Sequence, residues 1–106
     1  MNERGGTSES ELFDDSREYT REELCRVCRL EPGRLVEYVA HGVVTGVGAS
    51  GERFTHVELQ RLVRAVRVRR ELEVDLPSLG LVVDLLERLE HQRRELERLR
   101  RQLSEW

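Results

Sequence analysis

The sequence predicts a single, mainly α domain: a helix-turn-helix with a small β wing that runs on into a long C-terminal helix. Three observations predict it. Two short amphipathic segments flank a tight turn between Thr20 and Gly42, a valine- and glycine-rich stretch follows from Val43 to Thr55, and a leucine repeat runs from Ser78 to Ser104 with nothing to stop the helix. Of the 106 residues, 38% are hydrophobic. That supplies one small core, because folding at this size buries about two-thirds of the unfolded chain's surface. A helix extending beyond that core must pack on this domain or on another chain.

The first helix opens at Thr20, with Glu23 three residues on completing a capping box, and its apolar face is Leu24, Val27 and Cys28. Glu31-Pro32-Gly33 restarts the chain. Leu35, Tyr38 and Val39 form the buried stripe of a second short helix, which Gly42 ends by accepting a left-handed conformation at low cost. Val43, Val44 and Val47, then Arg53-Phe54-Thr55, read as two short strands joined by a flexible loop around Gly48-Ala49-Ser50-Gly51. Thr55 and Glu58 make a second capping-box pattern. The helix it opens should bury Val57, Leu59, Leu62, Val63, Val66 and Leu72, with Arg61, Arg64, Arg67, Arg69 and Arg70 elsewhere.

Pro77 suits the first turn of the last helix, where its missing N–H is not needed. Val82, Leu85, Leu89, Gln92, Leu96, Leu99 and Leu103 alternate spacings of three and four, a heptad seam with one polar position and the candidate surface for dimerisation. The pairing direction, parallel or antiparallel, stays open. Leu79, Leu81, Val83 and Leu86 widen the first half, so that half should pack on the domain while the second projects toward a partner helix. Glu90 to Arg94 and Glu97 to Arg101 are correctly oriented four-apart pairs. Three parts result: an acidic N-terminal tail over 1–18, expected to be disordered, a helix-turn-helix domain over 19–76, and a coiled-coil-like helix over 77–106.

All 18 basic residues are Arg, against 21 acids, for a formal charge of -3. Bulk charge therefore does not drive nucleic-acid coating. The surplus acid lies in residues 1–18, with six acids and two bases, whereas 19–75 hold ten bases and nine acids. Two cysteines make no disulfide framework, and neither an apolar run long enough to span a membrane nor a secretory signal is present. A cytoplasmic protein is expected.

Tyr19-Thr20, Glu23-Leu24, Leu30, Pro32, Leu35, Tyr38, Gly42-Val43-Val44, Arg53-Phe54-Thr55 and Leu59-Gln60-Arg61-Leu62 resemble the MerR-type winged helix-turn-helix. The run from Arg69 to Leu86 resembles, more narrowly, the CbpM branch of chaperone modulators, and Cys25 and the Val43-Val44 exit from the second helix fit the same pattern. The resemblance spans about residues 19–103 and leaves the tail outside. It implies a cytoplasmic, non-catalytic partner of a DnaJ-like co-chaperone of the CbpA type. Such a protein binds the J-domain, competes with its use by Hsp70, and pairs with itself through the long helix.

The alternative is a MerR-type DNA-binding transcriptional regulator, of heat-shock genes for instance. DNA-binding relatives carry a basic-aromatic run on the second helix where this chain has Val36-Glu37-Tyr38-Val39, and their wing pairs Arg with Tyr where this one has Glu52-Arg53-Phe54. Glu37 would meet phosphates with no cation to offset it, so DNA binding should be weak or absent, with Arg29, Arg34 and Arg53 the only candidate contacts. Glu31, Val36, Glu37, Asp84 and Glu87 are the candidate protein-interaction residues: carboxylates to steer a basic J-domain helix and an apolar centre to hold it.

Cys25-Arg26-Val27-Cys28 has C-x-x-C spacing, but no second pair follows. Two small residues filling the interface between the first two helices explain it better than a metal site completed by His41 and His56. No nucleophile, base and orienting group come together, so no catalytic residue, metal or cofactor is expected. His41 beside Gly42 favours a helix C-terminus when charged, and His91 reads as a solvated surface residue.

Overall fold

The structure, a computed structural model, describes residues 17–105. Residues 1–16 of the expected disordered tail lie outside the described residues, as does Trp106, while its last residue, Glu18, is not disordered but paired opposite Thr55 in a strand. In chain order the elements are strand β1 (Glu18–Thr20), helices α1 (Arg21–Cys28) and α2 (Pro32–Ala40), strand β2 (Arg53–Thr55), and helices α3 (His56–Leu72) and α4 (Leu76–Ser104).

Each helix boundary has a local chemical cause. At α1 the capping box forms in both directions: the Thr20 hydroxyl accepts the Glu23 N–H at 3.1 Å, and the Glu23 carboxylate accepts the Thr20 N–H at 2.8 Å. Arg29 then turns left-handed at φ 55°, so Leu30 donates to the Cys25 carbonyl at 2.9 Å and closes the helix. Pro32 starts α2, and Gly42 ends it at φ 73°, with Gly42 donating to Val39 and Val43 to Tyr38, both at 3.0 Å. The second capping box is only half made. Thr55 accepts the Glu58 N–H at 3.3 Å, but the Glu58 carboxylate accepts from Thr45 N–H at 2.9 Å, tying the stretch after α2 to the start of α3.

The fold class is as expected, mainly helical with a small wing and a long C-terminal helix. The strand pairing differs. Val43 and Val44 are fully buried but not extended, and the first wing strand shrinks to a single antiparallel bridge between Val47 and Arg53. The second, β2, pairs with β1 instead, Tyr19 opposite Phe54 and Glu18 opposite Thr55. A Cβ on Gly46 would collide with the Gly51 carbonyl, so the wing loop folds back through a gap that only glycine leaves open.

Leu24, Leu35, Val43, Val44, Phe54, Leu62, Leu79 and Val83 are the largest fully buried side chains, and Tyr19, Cys28 and Tyr38 pack around them. Each contributes about 1.5–3 kcal/mol. Four residues expected in this core are instead exposed: Val27, Val57, Val63 and Leu72. The buried arc of α3 is centred on Leu62, Ala65 and Val66 and takes in His56 and Val68, which turns Val57 and Val63 outward. His56 is buried because its Nδ1 shares a 3.1 Å hydrogen bond with the Tyr19 hydroxyl.

Helix α4 has two faces, but with two positions exchanged: Leu81, expected to pack inward, is exposed, and Val82, expected in the seam, is partly buried against the core. Leu79, Val83 and Leu86 pack inward, chiefly against α3, while Leu81, Leu85, Leu89, Leu96, Leu99 and Leu103 are exposed. Glu90 pairs with Arg94 at 3.4 Å, but Glu97 turns back to Arg93 at 2.9 Å instead of forward to Arg101.

Candidate functional site

The outer face of α2 is where a helix-turn-helix meets its target, and here two side chains set its character. Val36 is 54% exposed, with nothing polar to recommend it to water. Beside it Arg34 and Glu37 form an ion pair one turn apart at 3.5 Å, so the cation on this face already has a carboxylate. Glu31, exposed at the α2 N-cap, makes no capping hydrogen bond and leaves its carboxylate to solvent. A groove of about 430 Å³ runs between α1 and α2, with Leu35, Val36, Pro32 and Cys25 as its apolar lining and Arg21, Glu22 and Arg26 at its margin.

Two of the three candidate phosphate contacts, Arg34 and Arg53, are already paired. Arg53 pairs with Glu18 at 3.0 Å and its guanidinium lies against Gly48. Arg21, beside it, is held by Glu52 at 2.7 Å. Arg29 serves as the left-handed end of α1. An incoming phosphate would have to displace Glu37 and Glu18 before either Arg34 or Arg53 was released.

The remaining two carboxylates of the predicted interaction set sit on α4 and are engaged from within. Arg61, its side chain only 14% exposed, reaches Asp84 at 2.7 Å and Glu87 at 2.9 Å and donates through Nε to the Val43 carbonyl. The structure therefore divides the predicted set: Glu31, Val36 and Glu37 share α2, whereas Asp84 and Glu87 belong to a bridge between α3 and α4. The role of Arg61 was not legible in the sequence. One signal for it was its position directly before Leu62, on the flank of the buried arc of α3.

Cys28 is buried and Cys25 partly so. Burial pushes the Cys28 thiol up to about 11, and it also raises Cys25. Thiols so disfavoured as thiolates neither attack electrophiles readily nor ligate metal. His41 caps α2 at the surface while His56 is buried against Tyr19, and among the described residues no three His, Cys, Asp or Glu side chains are grouped to hold an ion. Among the described residues, no helix is long and apolar enough to cross a membrane.

The profile of the MerR HTH family regulatory proteins matches residues 19–101. Chaperone modulatory protein CbpM of Coxiella burnetii, in strains Dugway 5J108-111, RSA 331 / Henzerling II and CbuG_Q212, is 30% identical over 82 residues, covering 76% of this chain and 77% of the relative. The chain belongs to the CbpM family, within the MerR-like superfamily. Both the family model and the named relatives are of regulatory proteins.

Proposed function

We propose that this CbpM-family chain is a cytoplasmic chaperone modulator that binds the J-domain of a DnaJ-like co-chaperone of the CbpA type and inhibits its stimulation of Hsp70. The observation that carries this reading is the outer face of α2, where exposed Val36 adjoins an apolar groove while Glu37 neutralises Arg34. Such a surface can desolvate against a protein, and the cation beside Val36 on α2 is already paired. Glu31 and Glu37 steer a basic J-domain helix, and the apolar lining holds it. Asp84 and Glu87 stand in for a second, peripheral part of the surface, partly satisfied by Arg61.

Inhibition then requires only occupancy of the J-domain surface that Hsp70 would use, so it is stoichiometric and relieved by excess J-domain. In the same reading residues 19–76 form the binding unit, and residues 77–106 pair two copies through Val82, Leu85, Leu89, Gln92, Leu96, Leu99 and Leu103. The test is a titration of the protein into an Hsp70 ATPase assay stimulated by the co-chaperone. Stimulation should fall in step with complex formation while basal Hsp70 turnover stays constant, and Val36→Asp with Glu37→Arg should weaken inhibition at least tenfold, about 1.4 kcal/mol. No co-chaperone binding at about 10 µM, where an interface of ordinary size is readily detected, would end the proposal.

A further inference from the structure

A second groove, on another side of α1 from the α2 face, lies where α1, α3 and α4 meet. Its volume is about 470 Å³ and its lining includes Val27, Val57 and Val63. These are three of the residues that sequence pattern assigned to the core, and all three are substantially exposed. The polar margin carries Arg64, Arg67 and Arg94 against Glu87 and Glu90. Both carboxylates are already committed, Glu87 to Arg61 and Glu90 to Arg93 and Arg94. Arg64 and Arg67 make no salt bridge among the described residues, Arg64 acting on Glu90 only at longer range, so the groove combines an apolar floor with a margin of three cations against two carboxylates.

We infer that this groove is the docking site of the chain's own N-terminal segment Glu9–Asp15. That segment reads Glu-Ser-Glu-Leu-Phe-Asp-Asp, with one apolar pair, Leu12-Phe13, set between four carboxylates. Its chemistry is the complement of the groove: Leu12 and Phe13 cover Val27, Val57 and Val63, and Asp14, Asp15 and Glu11 meet Arg64 and Arg67. The register of the small sheet delivers it there. Glu18 lies opposite Thr55, antiparallel, so the chain preceding Glu18 leaves the sheet at the end where α3 begins, two residues before Val57. Four Cα-to-Cα steps lead from Phe13 to Arg17, a reach of about 14 Å when extended. Val57 and Val63 are about 9 Å apart along α3, within that span.

The measurement is made on the full chain, comparing valine methyl NMR signals of wild type and a Leu12→Ser/Phe13→Ser variant. Its substitutions lie outside the described domain, and an unchanged far-UV circular dichroism spectrum confirms that the fold is kept, while Tm should fall by roughly 5–10 °C with the loss of a docked state favoured about tenfold. The Val27, Val57 and Val63 methyl signals should differ between the two chains through loss of the Phe13 ring current. A peptide of residues 8–16 should restore them in the variant. It should bind wild type about tenfold more weakly, because a tethered tail at an effective ~1 mM competes against a ~0.1 mM affinity. Arg64→Glu/Arg67→Glu should abolish both effects. Coincident signals in the two chains, peptide shifts confined to other residues, or wild-type shifts that grow with protein concentration and so mark a second copy in the groove would each overturn the assignment.

Discussion

Replacing Arg61 with methionine keeps the apolar stem and removes only the guanidinium, so it isolates what that group holds together. The Nε bond to the carbonyl of fully buried Val43 is a charged hydrogen bond, and its loss strands a buried acceptor, at about 1.5–3 kcal/mol. The ion pairs to Asp84 and Glu87 involve carboxylates that remain largely in water, and contribute about 0.2–1 kcal/mol each. The contact to the Gly80 carbonyl, at 3.4 Å, is too long to add much. Arg61→Met should therefore cost about 2–4 kcal/mol, which for a domain of this size lowers Tm by roughly 10–25 °C. Thermal denaturation followed by far-UV circular dichroism, at one fixed protein concentration, reads it out. Asp84→Asn/Glu87→Gln should cost about 1 kcal/mol, because it leaves the backbone bond intact. A loss below about 1 kcal/mol for Arg61→Met, or equal losses for the two variants, would refute the claim that Arg61 works mainly by tying the exit of α2 to α3.

Four further outcomes are expected. Leu96→Glu/Leu99→Glu should give a monomer with the helix-turn-helix intact, and a wild-type chain already monomeric by sedimentation at about 100 µM would contradict the pairing. At pH 8 iodoacetamide should alkylate Cys25 well before Cys28, as peptide mapping would reveal. A thiol raised from 9 to about 11 in the folded chain supports stability below the unfolded value, and that support is lost as pH rises through about 11. Binding to random duplex DNA should be weak and its salt slope no steeper than about −3, the limit for three phosphates neutralised by Arg29, Arg34 and Arg53; a single preferred palindrome surviving excess competitor would favour a transcriptional role. Gly46→Ala should cost about 1–3 kcal/mol and broaden the amide signals of Val47 and Arg53, since the added methyl meets the Gly51 carbonyl.

The helices were legible because their signals are local. Thr20 with Glu23, Pro32, Gly42 and Thr55 mark boundaries by chemistry that operates within four residues, and the structure uses each of them. The partner of β2 was not legible, because the pairing of Tyr19 with Phe54 is a contact across more than thirty residues and three-residue strands carry too little alternation to announce it. Val27, Val57 and Val63 misled for a related reason: periodicity says that a helix has an apolar stripe but not which neighbour covers its edge, and here that edge borders a groove. At the candidate interaction face Val36 and Glu37 stood out by residue type alone. The division of the carboxylates did not, because only the packing of α3 on α4 brings Arg61 to Asp84 and Glu87.

The ribbon of β1 and β2 has a kinetic meaning beyond its size. Helices α1 and α2 are neighbours in sequence and pack on each other, as do α3 and α4, so each hairpin needs only short-range closure. The ribbon is one of the fastenings between the hairpins, beside the packing of α1 on α3, with three residue pairs and the Tyr19–His56 contact beneath them. Closing a loop of that length adds only a few kcal/mol of entropy over a tight turn, but it must follow the helices that set its ends. Tyr19 and Phe54 amides should therefore exchange with solvent deuterium by local opening of this fastening, ahead of the amides in the middle of α3. Each opening would loosen the wing and the start of α3 together, making the two a single cooperative unit.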